Sequence, residues 1–368
     1  MRILFVLPRM ITGGIERVTL NLVKELRNRG HDCAFALRKA YGEFLPEAEA
    51  LCPVYEIAAK GLHQFVPKLS NLIRQWQPTH IVSALADVGF LTYLAIKHSN
   101  QEVCWVHSVH GPHDIITVKP NVMGRLRFRL DNFFAAIVYK NTDKIIAVSN
   151  GVRQDILNKF QCSEDKVVTI YNPVLENKHL VPKSTTTNFV NNSPKIIALG
   201  RLTRQKGFDI LIQAMQKVPQ PWHLEIWGDG EEKENLQRLI DVLDLNTSIT
   251  LKGSTNQPFN ILRQADLFVL SSRFEGLPTV LIEAICCQCN IVSTDCPYGA
   301  AEILENGRWG TLVENENIQA LANAITKNLN KKIHIAPNWL IQRAQPFTKE
   351  VAIDQWENIL KNLKGDIK

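Results

Sequence analysis

Two carboxylates and two cations carry the clearest chemical signal in this 368-residue sequence. Glu275 and Glu283 lie in the stretch Ser271-Ser272-Arg273-Phe274-Glu275-Gly276-Leu277-Pro278-Thr279-Val280-Leu281-Ile282-Glu283-Ala284. The apolar run Ala265–Leu270 just before it reads as a buried parallel strand, and the run that follows reads as a helix capped by Thr279. Helix N-termini present unpaired N–H groups and a partial positive charge, so they suit phosphate. Two carboxylates beside such an end cannot both serve a phosphate. They are better suited to accepting hydrogen bonds from hydroxyls, such as those of a ribose and a sugar. Upstream, Gly200-Arg201-Leu202-Thr203-Arg204-Gln205-Lys206-Gly207 joins the apolar run that ends at Leu199 to a helical run over 208–217. Arg201 offers a planar fork and Lys206 a point charge, a combination able to hold a diphosphate. The Lys-Ser/Thr ending of a Walker loop is missing.

The elements that must position these groups form two series. In the first, short apolar runs at 2–7, 33–37, 53–58, 80–84, 102–107, 144–149 and 167–170 are spaced by helical segments. In the second, runs at 195–200, 223–227, 248–251, 267–270 and 290–293 repeat the rhythm. Strands alternating with helices predict parallel sheets with helices on both faces. Between the series lies Tyr171-Asn172-Pro173-Val174 and then a polar stretch to Ser193 without apolar periodicity, the best domain boundary in the chain. Over 348–363, Val351, Ile353, Trp356, Ile359 and Leu360 recur at helical spacing. In the first series the apolar positions Val18, Leu22, Val23 and Leu26 predict a helix over 15–29 closed by Gly30. The loop Thr12-Gly13-Gly14 leads into it, and paired glycines allow a backbone to approach a ligand closely. Neither series opens on a G-x-G-x-x-G dinucleotide fingerprint, which disfavours an oxidoreductase.

Taken alone, Glu275 and Glu283 fit ordinary solvated charges as well as a site. Their spacing, together with Gly200–Gly207, resembles the E-x7-E and G-R-L-x-x-x-K-G motifs of the retaining GT-B glycosyltransferases of family 4. The resemblance covers nearly the full length and is densest over 195–304. It implies an α/β protein of two facing Rossmann-like domains, 1–172 on the acceptor side and 173–347 on the nucleotide-sugar side. An interdomain cleft would separate them, and a C-terminal helix, 348–368, would cross back to the first. Arg201 and Lys206 would neutralise the departing nucleoside diphosphate, with Glu275 beside them as catalytic groups. Donor contacts would come from Gly13, Gly14, Gly228, Gly253, Ser254, Glu275, Gly276, Leu277, Pro278, Thr279 and Glu283. The family also places a histidine near the transferred sugar. His107 and His110, in Trp105-Val106-His107-Ser108-Val109-His110-Gly111, compete for that post; His107 is preferred because it directly ends the strand. Glu16 and Arg17, opening the first helix, would face the acceptor pocket.

The implied reaction moves a sugar from a nucleoside diphosphate, most often UDP in this family, to an acceptor hydroxyl with retention. No Asp-x-Asp occurs in the sequence, which agrees with a metal-independent enzyme without a cofactor, whose Arg201 and Lys206 replace the divalent ion. Family relatives suggest a lipid-linked saccharide acceptor in bacterial cell-surface polysaccharide or lipopolysaccharide assembly. The alternatives are a catalytically idle sugar-binding scaffold partner and a UDP-sugar epimerase of similar shape. No nucleic-acid partner is expected. Of the net charge of +6, all the excess falls in residues 1–172, with 21 Lys/Arg against 15 Asp/Glu. Arg125, Arg127, Arg129, Lys140 and Lys144 interleave there with Leu126, Phe128, Leu130, Phe133 and Phe134, a pattern compatible with an anionic membrane surface and equally with a solvated helix that buries one face. The eight cysteines show no framework spacing, and Cys286, Cys287 and Cys289 read as small buried residues. With no apolar run near eighteen residues, the expected location is cytoplasmic, on the inner face of the membrane if the basic segment docks there.

Overall fold

The computed structural model describes residues 1–11, 13–57, 62–111, 122–180, 193–329 and 342–365. The chain divides into two compact units, Met1–Pro173 joined by the last helix, Lys349–Gly365, and Val174–Thr348. In the first unit seven parallel strands are described: β1 Arg2–Leu7, β2 Asp32–Leu37, β3 Val54–Glu56, β4 His80–Ala84, β5 Cys104–Val109, β6 Lys144–Ala147 and β7 Val167–Thr169. They stand in the order β3-β2-β1-β4-β5-β6-β7, so the direction of winding reverses between β1 and β4. Helices α1 Gly14–Asn28, α2 Leu45–Leu51, α3 Leu62–Trp76, α4 Ala86–Ser99, α5 Val122–Asn141 and α6 Asn150–Phe160 follow the strands. α1 buries Leu20, Leu22, Val23 and Leu26 against Ile3, Phe5 and Phe35, each large apolar side chain stabilising by about 1.5–3 kcal/mol. Gly30 follows α1 in the left-handed region at φ 83°.

The last helix belongs to the same core through Ala352, Ile353, Trp356 and Leu360. Polar contacts fix its register. Arg29 meets Asp354 at 2.6 Å and Glu357 at 2.9 Å, His31 meets Glu357 at 2.9 Å, and the buried His80 reaches the Leu360 carbonyl at 2.8 Å. Lys361, His31 and Arg29 together hold the Glu357 carboxyl down at about 2.

In the second unit the strands are β8 Lys195–Leu199, β9 His223–Trp227, β10 Ile249–Gly253, β11 Leu267–Leu270, β12 Asn290–Thr294 and β13 Thr311–Val313. Their order is β10-β9-β8-β11-β12-β13, again parallel, with the reversal between β8 and β11. Helices α7 Phe208–Met215, α8 Lys233–Val242, α9 Pro258–Leu262, α10 Thr279–Cys286, α11 Ala300–Ile303 and α12 Ile318–Leu329 complete it. Two parallel α/β units are what the alternating pattern predicted. Several bounds differ, among them β3 and β6, which end short of the runs at 53–58 and 144–149. β13 has no counterpart among the sequence-based strands, because three residues at a sheet edge leave too short an apolar run to register. β5 continues to Val109 because Ser108 and Val109 pair with Ile146 and Ala147. β10 extends to Gly253, which pairs with Trp227 after a register shift. Cys286, Cys287 and Cys289 are buried, as their setting among apolar residues suggested.

Candidate active site

In an open parallel sheet, ligands bind outside the carboxyl ends of the strands where the winding reverses. In the second unit that point lies between β8 and β11, and the loops leaving these two strands are the ones that carry Arg201–Lys206 and Glu275. They are joined directly. Lys206 Nζ donates to Glu275 Oε1 at 2.6 Å, Ser272 Oγ donates to the same oxygen at 2.6 Å, and Gln205 Nε2 reaches Oε2 at 3.3 Å. Glu275 is buried, with 5% of its surface exposed. Its backbone is held on both sides by the loop after β12, through Glu275 N to the Pro297 carbonyl at 2.6 Å and Tyr298 N to the Glu275 carbonyl at 2.7 Å. Ser271 Oγ donates to the Lys206 carbonyl at 2.9 Å. Gly207 follows at φ 62°, and any Cβ there would run into the Ser271 carbonyl oxygen, so only glycine lets the two loops close on each other. Arg201 is exposed, and among the described residues its guanidinium has no partner.

The neighbouring strands bring up the remaining expected donor contacts. Gly228 leaves β9, and its N–H donates to the Gly253 carbonyl at 2.8 Å, so Gly228, Gly253 and the exposed Ser254 sit side by side at the carboxyl ends of β9 and β10. Gly253 is thus the last residue of a strand rather than part of a loop. Gly276, Leu277 and Pro278 are buried, and Thr279 is half-buried. Thr279 does not cap α10. Pro278 occupies that position with ψ 91°, and Thr279 is already the first helical residue, with no side-chain cap formed. Glu283 lies one turn into α10, half-buried; its backbone carbonyl accepts from Cys287 N at 2.9 Å, and among the described residues no hydrogen bond or ion pair joins its carboxyl to the Lys206–Glu275 pair or to another side chain. Burial pushes its carboxyl up to about 8.

The sign of the resulting pH dependence follows from linkage. Folded Glu283 keeps a proton that an unfolded carboxyl has already released above its ordinary value of 4.5. This group therefore favours folding at low pH, and the advantage is lost as pH rises toward about 8. Glu283→Gln is expected to melt like the wild type near pH 5 and at a higher temperature than the wild type near pH 9, read by calorimetric melting across that range. Parallel pH curves for the two proteins would remove the buried-acid account.

In the first unit Gly13 and Gly14 stand after β1, at the reversal between β1 and β4; Thr12 lies outside the described residues. Gly13 is the extended cap residue of α1, with φ −159°, and the Glu16 carboxylate folds back over it. The positive end of this helix thus already faces a carboxylate, which lowers its attraction for phosphate. Arg17 turns to Glu47, at 2.8 and 2.9 Å, and lies over the Phe44 ring, so it is engaged with α2.

The preference for His107 rested on its ending the strand, and the structure corrects that premise. His107 is an interior residue of β5, 2% exposed, with Ser83 Oγ at 2.9 Å from Nδ1 and its ring against Trp105 and Tyr139. His110 is the residue just beyond the strand end. Its Nε2 lies 2.9 Å from Ser108 Oγ, and burial pushes its pKa down to about 4, so the imidazole is neutral at physiological pH.

Sequence reasoning missed the supports of the Lys206–Glu275 pair. Gln205 and Ser272 lie within the quoted motifs but at positions with no motif requirement. Arg273, two residues before Glu275, carries the densest set of polar contacts in the site. It binds Asp209 with both terminal nitrogens at 2.8 and 2.7 Å, the Arg204 carbonyl at 2.8 Å and Glu316 at 2.6 Å. A basic residue near the paired glutamates was the only available signal.

Two reversed α/β sheets, the second with a lysine–carboxylate pair at its reversal point, have the GT-B glycosyltransferase fold. The whole-chain likeness agrees. A glycosyltransferase from Rickettsia africae matches with a TM-score of 0.82 at 22% identity, over 99% of both chains. HepE of Anabaena, solved in complex with UDP, matches with a TM-score of 0.81 at 21% identity, over 98% of this chain and 100% of that one. Residues 12–178 match the model described as Glycosyltransferase Family 4, and residues 183–345 the model described as Glycosyl transferases group 1. The chain belongs to the family 4 glycosyltransferases. An uncharacterised glycosyltransferase of Haemophilus influenzae is 26% identical over 365 residues, 95% of this chain and 96% of the relative. The N-acetylgalactosamine-N,N'-diacetylbacillosaminyl-diphospho-undecaprenol 4-alpha-N-acetylgalactosaminyltransferase of Campylobacter jejuni is 30% identical over 237 residues, 63% of this chain and 64% of the relative.

Proposed function

We propose that this glycosyltransferase takes its sugar from a nucleoside diphosphate, with UDP the leading carrier, and passes it to an acceptor hydroxyl with retention of configuration. The observation that carries this reading is the 2.6 Å pairing of Lys206 with the buried Glu275 at the β8/β11 reversal, with the exposed Arg201 on the same loop. A diphosphate leaving group departs with negative charge, and fixed cations aimed at that charge supply the largest share of stabilisation. Arg201 and Lys206 would do this, and Glu275 and Glu283 would accept hydrogen bonds from donor hydroxyls. His110, neutral and at the strand end, takes the histidine post in place of His107. The UDP complex of HepE and the polyprenyl-diphosphate acceptor named for the Campylobacter enzyme support a sugar nucleotide as donor and a lipid-linked saccharide as acceptor, in keeping with cell-surface polysaccharide assembly. The deciding experiment is a melting screen of the purified protein with UDP, GDP and their sugars, since a ligand that binds only the folded state raises the melting temperature. No stabilisation by any of them, and no release of nucleotide from any sugar nucleotide, would leave the scaffold alternative standing.

Contact with an anionic bilayer is part of the same proposal. Among the described residues no helix is long and apolar enough to cross a membrane. α5 buries Ala135, Val138 and Tyr139, while Arg125, Arg127, Arg129, Leu130 (45% exposed) and Phe133 (59% exposed) remain at the surface. Arginines beside exposed apolar side chains favour an interfacial position on acidic lipid, each cation contributing about 1 kcal/mol. The full-length protein is expected to sediment with phosphatidylglycerol-containing vesicles and not with phosphatidylcholine vesicles, with binding lost in Arg129→Glu/Phe133→Ser. Equal sedimentation with both vesicle types, or an unaffected variant, would remove α5 from this role.

A further inference from the structure

Arg273 uses every face of its side chain, and its partners bracket Lys206. Its guanidinium fork grips Asp209, in the first turn of α7, at 2.8 and 2.7 Å. The same group donates to the Arg204 carbonyl at 2.8 Å, and Nε donates to Glu316 Oε1 at 2.6 Å. Its backbone is tied as well, with Arg273 N donating to the Gln205 carbonyl at 2.8 Å and Asn315 Nδ2 donating to the Arg273 carbonyl at 2.8 Å. Residues 204 and 205 precede Lys206 and residue 209 follows it, so one side chain fixes the chain on both sides of the lysine. Glu275 stands two residues beyond the same anchor.

We infer that Arg273 is a positioning residue that sets Lys206 against Glu275 by locking the loop after β8 to the loop after β11. The inference rests on the reading that Lys206 and Glu275 serve glycosyl transfer. Chemistry favours arginine here. Only a planar fork can bind both oxygens of Asp209 while its remaining N–H groups reach the Arg204 carbonyl and Glu316; a lysine ammonium keeps the charge and loses the geometry. Magnitudes separate positioning from plain stabilisation. The side chains of Asp209 and Glu316 are 41% and 56% exposed, and pairs with partners that open contribute at most about 1 kcal/mol to folding. A displacement of the lysine by about 1 Å, by contrast, can cost about 100-fold in rate.

The test is a double-mutant cycle on the purified full-length enzyme, with UDP binding by calorimetry, turnover of the donor selected by the melting screen, and melting temperature as readouts. Arg273→Lys is expected to lower kcat by about 10- to 100-fold while the melting temperature moves by no more than ~3 °C. Placed in a Lys206→Ala background, or in Lys206→Met/Glu275→Gln if the single substitution does not fold, the same change is expected to cause no further loss, because its effect runs through that lysine. Asp209→Asn, which leaves Arg273 in place, is expected to show the same non-additivity with a smaller loss, and it serves if Arg273→Lys does not fold. Losses that multiply in the double variants, or an Arg273→Lys enzyme with unchanged kcat, would overturn the positioning role. A wild type that binds no UDP and turns over no sugar nucleotide would sink the function itself, and this role with it.

Discussion

Lys206→Ala is expected to lower kcat for glycosyl transfer by about 10²–10³-fold, the cost of removing one preorganised group that stabilises developing negative charge. The loss should appear in kcat and kcat/KM alike, because the diphosphate carries more charge when departing than when bound in the donor. The same substitution strips the buried Glu275 of its cation, leaving Ser272 and Gln205 as its side-chain partners. Breaking one side of a buried pair is strongly destabilising, by about 3–5 kcal/mol in comparable cases. Lost activity could therefore reflect lost folding. The pair Lys206→Met/Glu275→Gln separates the two effects: removing both charges should restore the melting temperature but not the turnover. A Lys206→Ala enzyme with full kcat, or full recovery of kcat in the neutral pair, would exclude the lysine from leaving-group stabilisation. The same turnover assay separates the two histidines. His110→Asn should lower kcat with little change in melting temperature, whereas His107→Asn should act mainly on stability because that ring is packed inside β5.

Gly228→Ala is expected to be the most damaging small substitution in the second unit, at about 3 kcal/mol. Gly228 has φ 150°, a region that L-residues rarely adopt, and a Cβ there would overlap the Gly200 carbonyl oxygen. The oxygen and carbon of that carbonyl are both backbone atoms, so neither can swing aside. The strain falls where β8 and β9 end together, held by Gly200 N to the Trp227 carbonyl at 2.9 Å and Leu202 N to the Asp229 carbonyl at 2.8 Å. Relief would require parting those bonds and shifting Arg201. The melting temperature should fall by roughly 6–12 °C for a unit of this size, and UDP affinity should fall with it. A Gly228→Ala protein with unchanged melting would show that this junction yields more readily than its geometry implies.

The two effects differ in kind. Under the proposed function Lys206 would offer charge to the leaving group, whereas Gly228 offers the absence of a side chain so that two strand ends can meet. Both depend on one arrangement, in which the loops after β8, β9, β10 and β11 leave a sheet from neighbouring strands.

The sequence by itself determined the alternation of strand and helix, because apolar runs and helical spacing are local properties. β9 and β11 stand at the residues their runs predict. The motifs around Arg201, Lys206 and Glu275 were legible for the same reason, as short segments with fixed internal spacing. What the sequence could not determine was strand order, which depends on contacts between residues far apart. The order β10-β9-β8-β11 brings Lys206 to Glu275 across 69 residues, and no local pattern encodes that pairing. The anchoring of Arg273 on Asp209 and Glu316 was hidden for the same reason: a surface arginine and a doubly anchored one look alike until the partner segments fold beside it. The end of β5 was misplaced by two residues at His107, because the strand runs on to Val109 where its pairing with β6 ends. Only the tertiary structure decided which histidine is packed inside the sheet and which lies beyond it.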